Sequence, residues 1–176
     1  MTKSNIAQLG EPVLREIAQP IYDVIRPDIQ RLAQTMLLIL EESAGVGLAA
    51  PQIFESKRII IVASKPTKRY PYAPEMSATV MINPEFIQLS NEVQKDWEGC
   101  LSIPGIRALV PRYKFIRVTY TDLIGQRFKV DFKGFVARVF QHEFDHLNGL
   151  VYLDRVESNQ DIVSEQLYLK LIADIK

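Results

Sequence analysis

Gln141-His142-Glu143-Phe144-Asp145-His146-Leu147-Asn148-Gly149 is the stretch on which the reading of this chain turns. Phe135, Val136, Val139, Phe140, Phe144 and Leu147 recur around it at helical spacing, so the pattern predicts a helix over 134–148 capped by Gly149. Residues four apart on such a helix lie about 40° apart around its axis, because each residue turns ~100°. His142 and His146 can therefore aim their imidazoles at one metal ion from adjacent turns, with Glu143 beside them to handle a proton. They are the only two histidines among 176 residues, and Cys100 is the only cysteine. Every imidazole and thiol of the chain can thus belong to a single site.

A length of 176 residues fits one domain spanning 1–176. Hydrophobic residues make up 47% and charged residues 24%, an ordinary globular balance. Lys+Arg and Asp+Glu are both 21, so the zero net charge gives no reason to expect nucleic-acid readout or an anionic membrane partner. A lone cysteine suits a reducing compartment, and Met1 to Gln8 lacks the apolar core of a signal peptide. The longest apolar run, Met36-Leu37-Leu38-Ile39-Leu40, is far short of the ~20 residues of a membrane span. A cytoplasmic protein is expected.

Outward from the central helix, residues 9–26 read as a packed, mostly irregular arm with one helical turn. Pro27 opens a helix whose buried stripe is Ile29, Leu32, Ala33, Met36, Leu37 and Leu40, stopping near Ser43-Ala44-Gly45. Gly45-Val46-Gly47-Leu48-Ala49-Ala50-Pro51-Gln52 has little side-chain bulk and suits a close backbone approach or a tight turn. Strands are expected at 58–63, at 79–83 and 86–90 on either side of Pro84, at 109–110, and as a hairpin of 115–121 with 127–132. Residues 64–78 read as a surface loop, lid or insertion. A short extended piece at Val151-Tyr152-Leu153 precedes a C-terminal amphipathic pattern of Ile162, Val163, Leu167, Leu169, Leu171, Ile172 and Ile175. Without regular βαβ alternation, the expected class is α+β: mostly antiparallel sheets around a central metal-binding helix, with an N-terminal and a C-terminal helix.

H-E-x-x-H says metal, most often zinc, with a nearby base; the plain alternative is an ordinary helix. No histidine follows His146, and Asp154 and Glu157 are weak candidates for a third ligand. Cys100 is the better one, since a thiolate binds zinc or ferrous iron strongly, although a free cysteine is usually a small buried hydrophobe.

Three segments, Gly45 to Gln52, Glu98-Gly99-Cys100-Leu101-Ser102 and Gln141 to Leu147, resemble in order and separation the signature motifs of the peptide deformylases. The resemblance implies a divalent ion held by Cys100, His142 and His146, with water in the fourth position. It implies a hydrolase that removes the formyl group from N-formyl-methionyl nascent polypeptides by attack of that metal-bound water, assisted by Glu143. Gln52 and the backbone N–H of Leu101 would meet the oxyanion, and substrate would lie extended beside Gly45-Val46-Gly47. Val46, Phe135 and Val139 match the methionine pocket, and Arg107 matches a position near the peptide's path. Read without the family, Gln52 and Arg107 are solvated polar residues and the pocket residues are plain core. Ferrous iron is expected natively, with zinc, nickel or cobalt in purified samples, and the partners expected are N-formyl-methionyl peptides with a transient ribosome contact.

The chain departs from the common family pattern at Ile53-Phe54-Glu55-Ser56, at Asp96-Trp97 and in the long 64–78 loop. Two other readings compete: a thiol hydrolase with Cys100 as nucleophile, and a non-catalytic metal-stabilised binding protein.

Overall fold

The computed structural model describes residues 6–67 and 70–173. Helix α1 (Pro27–Ser43) starts with proline in its first turn and ends at Ala44, which takes a left-handed φ of 50°. Strands β1 (Gly47–Ala49), β2 (Ile59–Ser64), β3 (Met76–Gln88), β6 (Phe115–Thr121) and β7 (Arg127–Lys133) form one antiparallel sheet in the order β1-β2-β3-β6-β7. Strands β4 (Val93–Cys100), β5 (Ile103–Tyr113) and β8 (Ile162–Ser164) form a second, in the order β4-β5-β8. Helix α2 (Gly134–Leu147) carries the metal motif, and α3 (Glu165–Ala173) closes the described chain. The expected α+β class with antiparallel sheets around a central helix is what the molecule has.

The large sheet is covered on both faces, which explains why Ile59-Ile60-Ile61-Val62 is a continuous apolar run rather than an alternating one. Ile59 and Ile61 pack with Ile29, Met36 and Leu40 of α1, while Ile60 and Val62 pack with Val139, Phe140 and Leu147 of α2. Period-two alternation thus splits one strand between two helices. Residues 137–143 and 145–147 of α2 are all buried, so its polar side chains must find partners inside the protein.

Several elements differ from the sequence reading. The two strands expected around Pro84 are one, β3, whose register shifts between Ile82 and Glu85. Asn83 sits in that irregularity at φ 48°, and its side-chain amide exchanges hydrogen bonds with the backbone of Ile21, tying down the N-terminal arm. The glycine-rich segment contributes β1 and then a 3-10 turn, Ala50–Ile53. The start of β3 takes 76–78 out of the predicted loop, whose Lys68 and Arg69 lie outside the described residues. Tyr152–Arg155 is a 3-10 turn rather than extended chain. Ile162 and Val163 belong to β8, not to a long C-terminal helix, because they pair with Ala108 and Arg107 of β5. Ile175 of that pattern lies outside the described residues. No helix of the described residues is long and apolar enough to cross a membrane.

Gly149 ends α2 as expected, at φ 70°. A Cβ there would fall 2.6 Å from the carbonyl oxygen of Arg15, so the arm and the helix end close against a glycine for both conformational and steric reasons. Gly149→Ala is expected to lower stability by about 2 kcal/mol or more in urea unfolding.

Candidate active site

Helix α2 presents His142 and His146 with ring centroids 5.3 Å apart. Strand β4 brings Cys100 to them: its Sγ lies 3.3 Å from His146 Nε2. One donor atom from each of Cys100, His142 and His146 lies within 4.8 Å of the others. The β4–β5 register shifts between Glu98 and Cys100, a bulge at Gly99 that re-aims the cysteine out of strict alternation.

Glu98, on β4, holds the other end of the arrangement. Its Oε2 accepts from His142 Nδ1 at 2.8 Å, which fixes the tautomer and leaves Nε2 free to face the cysteine side. Arg112 donates to both Glu98 oxygens at 2.9 and 3.0 Å, and Arg138 donates to Oε1 at 2.9 Å. Arg112 also donates to Asp145 at 2.5 Å, and Arg155 adds a second cation there at 2.8 Å. Tyr152 stacks on the His142 ring at 5.8 Å and 21°. Burial alone would raise the Glu98 carboxyl; Arg112 and His142 overcome it and hold it far below the usual range.

The electrostatics of the trio fit a cation. Burial opposes ionisation of Cys100, yet His146 and His142 hold the thiol well below its ordinary value. His142 is likewise buried, yet Cys100 and Glu98 push it well above its ordinary value. This pocket stabilises a thiolate beside positive charge, and a divalent ion would supply that charge to neutral imidazoles. His146 is fully buried while its Nδ1 has no hydrogen-bond partner among the described residues. Sulfur and imidazole donors of this kind suit zinc or ferrous iron. The residues present therefore fit a divalent metal ion.

Glu143 stands next to the trio. Its Oε2 is buried without a partner among the described residues, and burial pushes its carboxyl up to about 7; a cation alongside would pull it back down. Gly47 of β1 lies against it so closely that a Cβ would fall 2.2 Å from Glu143 Oε1. Gln52 is buried, not solvated: Oε1 accepts from Ala49 N at 2.8 Å, while Nε2 donates to Cys100 Sγ at 3.3 Å and to Ser102 Oγ at 3.2 Å. The site opens into a cavity of about 420 Å³ whose wall includes Val46, Gly47, Gln52, Leu101, Arg107, Phe135, Val139 and Glu143. The residues expected to bind metal or substrate face this one space or the donor trio beneath it, whereas Asp154 and Glu157, the weak ligand candidates, lie outside it, paired with Arg15 and Lys95. Arg107, read alternatively as solvated, is buried and bonded to Tyr70 and Glu165.

The polypeptide deformylase family model matches residues 3–161. This chain belongs to the polypeptide deformylase family. Peptide deformylase 2 of Nostoc sp. is 48% identical over 167 residues, covering 95% of this chain and 93% of that one. The class I type b peptide deformylase from Acinetobacter baumannii, solved with Met-Ala-Ser bound, superposes with a TM-score of 0.83 at 45% identity, covering 86% of this chain and 96% of that one. Peptide deformylase from Thermotoga maritima superposes with a TM-score of 0.77 at 35% identity, covering 87% of this chain and 97% of that one. Deformylases are metal-dependent hydrolases of protein biosynthesis that take the formyl group from the N-terminus of nascent polypeptides, and this chain is an enzyme of that family.

The sequence reading did not single out Glu98, Arg112, Arg138 and Asp145 as supports of the donor trio. Glu98 and Asp145 had a signal in their closeness to Cys100 and His146, because a metal-binding histidine usually donates its second N–H to a carboxylate. Arg112 had none.

Arg112→Met leaves Glu98 and Asp145 each short of a buried cation and is expected to cost about 3 kcal/mol at neutral pH. Glu98 is depressed in the folded protein, so the stability from its ionisation is fully present above its ordinary value of 4.5 and is lost as pH falls below it. Urea unfolding at several pH values should show the variant's deficit narrowing on the acid side.

Proposed function

We propose that residues 1–176 form one catalytic domain in which Cys100, His142 and His146 hold a divalent ion, natively ferrous iron, for hydrolysis of N-formyl-methionyl peptides. The observation that carries this reading is the convergence of the three donors beside an unpartnered, buried Glu143 at the floor of a cavity. When bound, the ion supplies Lewis acidity, lowering the pKa of water toward neutrality and polarising the formyl carbonyl.

The chain's own groups do the rest. Glu143 takes the proton of the attacking water and returns it to the departing amine nitrogen. Negative charge on the formyl oxygen is met by Gln52 Nε2 and the backbone N–H of Leu101, donors in a water-poor wall where each typically contributes ~3 kcal/mol. Oε1 of Gln52 is already occupied by Ala49 N, which orients the amide so that its NH2 faces the cysteine. Strand β1 lies at the end of its sheet with Val46 and Gly47 on the cavity, and it offers an edge along which an extended peptide can pair regardless of its side chains. Val46, Phe135 and Val139 give the methionine an apolar wall, and Arg107 lies along the path of the residues behind it. A nascent-chain substrate implies work in the cytoplasm close to ribosomes.

A second reading has support in the 3.3 Å approach of Cys100 Sγ to His146 Nε2, the geometry of a thiol nucleophile and its base. Chelation separates the two. Complete metal removal should abolish deformylation of formyl-Met-Ala-Ser, and ferrous ion added anaerobically should restore it; hydrolysis that survives chelation would favour the thiol reading. Glu143→Gln should leave metal content unchanged while kcat/KM for deformylation falls at least ~100-fold, the usual scale for a lost general base. Near-normal turnover would remove Glu143 from the mechanism.

A further inference from the structure

The cavity wall contains a cation that is paired with a carboxylate far along the chain. Pairing of Arg107 with Val163 and of Ile106 with Ser164 delivers Glu165, the first residue of α3, onto the Arg107 guanidinium. Nη2 donates to Glu165 Oε1 at 2.7 Å, and Nη1 donates to the Tyr70 hydroxyl at 2.8 Å. The rings of Tyr70 and Tyr168 flank the group, with Cζ 5.9 and 5.4 Å from their centroids. It lies flat on Gly99, where a Cβ would fall 2.2 Å from Nη1. Its Nε is buried without a hydrogen-bond partner among the described residues.

Arg107 is therefore anchored by its surroundings, and what remains adjustable is the anion opposite it. Tyr70, Gly99, Arg107 and Glu165 all face the cavity, and Tyr70 packs against Phe135 of the methionine wall at 4.9 Å. Arg138, also on the wall, is held by Glu98 and by the carbonyls of Gln94, Asp96 and Val110.

We propose that Glu165 is a specificity-determining residue: paired with Arg107, it cancels a fixed cation in the cavity wall, so that formyl-methionyl peptides are accepted whatever the charge of the residues that follow. The inference rests on the deformylase reading of this cavity. A buried, anchored guanidinium is weakly screened and presents a fork that fits a carboxylate. Without Glu165, an acidic side chain of the substrate becomes its natural partner, and a lysine side chain is repelled. With Glu165 in place, neither gains. An enzyme that meets many nascent chains benefits from that indifference.

The test uses C-terminally amidated peptides, so that only a side chain varies: formyl-Met-Asp-Ser against formyl-Met-Lys-Ser, and formyl-Met-Ala-Asp against formyl-Met-Ala-Lys. In the wild type the acidic-to-basic ratio of kcat/KM should stay within about threefold of unity at both positions. In Glu165→Gln and in Glu165→Ala the ratio should rise about tenfold at one position, through KM rather than kcat, and shrink with added salt. Adding Arg107→Gln to either variant should return the ratio toward unity, which a merely loosened α3 would not do. An unchanged ratio in both single variants, or a wild type already strongly selective for charge, overturns the proposal. A wild type that releases formate from none of the four peptides overturns the deformylase reading itself.

Discussion

A single buried carboxylate joins the two halves of this molecule. Glu98, on the edge strand of the small sheet, accepts from His142 Nδ1 on the central helix at 2.8 Å and from two arginines on either side. Burying a carboxylate beside guanidinium groups is expensive unless every partner is in place, so the contact is all or nothing. Where it forms, it fixes three things together: the ring orientation of His142, the distance between α2 and β4, and the register that puts Cys100 two residues along. The thiol then has nowhere to be except beside His146. The donor trio is thus positioned by a salt-bridge network whose carboxylates and guanidinium groups lie outside it.

Two glycines complete the preparation by letting side chains come closer than any other residue would allow. Gly47 yields its Cβ space to the Glu143 carboxylate, and Gly99 yields its own to the Arg107 guanidinium. Each therefore lets a polar side chain lie directly against backbone. Of the motifs in which they stand, Gly45 to Gln52 reads in the sequence as a close backbone approach or a tight turn, and Glu98 to Ser102 is rich in small and turn-forming residues. In the molecule Gly47 opens strand β1 and Gly99 lies near the end of β4, and both segments line the cavity.

What could be read from the sequence follows from where its signals are local. Pro27, the 3.6-residue stripe behind it and Gly149 mark helix ends by backbone chemistry alone, and α1 and α2 lie where expected. Phe115–Thr121 and Arg127–Lys133 alternate across a short turn and pair as a hairpin. The donor trio was legible because the chain holds so few groups that could serve. Strand β4 was not: Val93 to Asp96 are exposed on a sheet edge, and no apolar alternation distinguishes them from a loop. Strand β8 was hidden because Ile162 and Val163 fit a helical stripe equally well and only pairing with β5 decides. Glu98, Arg112, Arg138 and Glu165 gain their roles from contacts across 14 to 58 residues, which no local pattern announces.

The central claim is that a strand-borne thiol and two helical imidazoles share one ion. X-ray absorption at the metal edge of anaerobically purified protein reads that shell directly. One sulfur and two nitrogens, with the sulfur contribution lost in Cys100→Asp, is the predicted result. A shell of nitrogen and oxygen alone in the wild type would contradict the account.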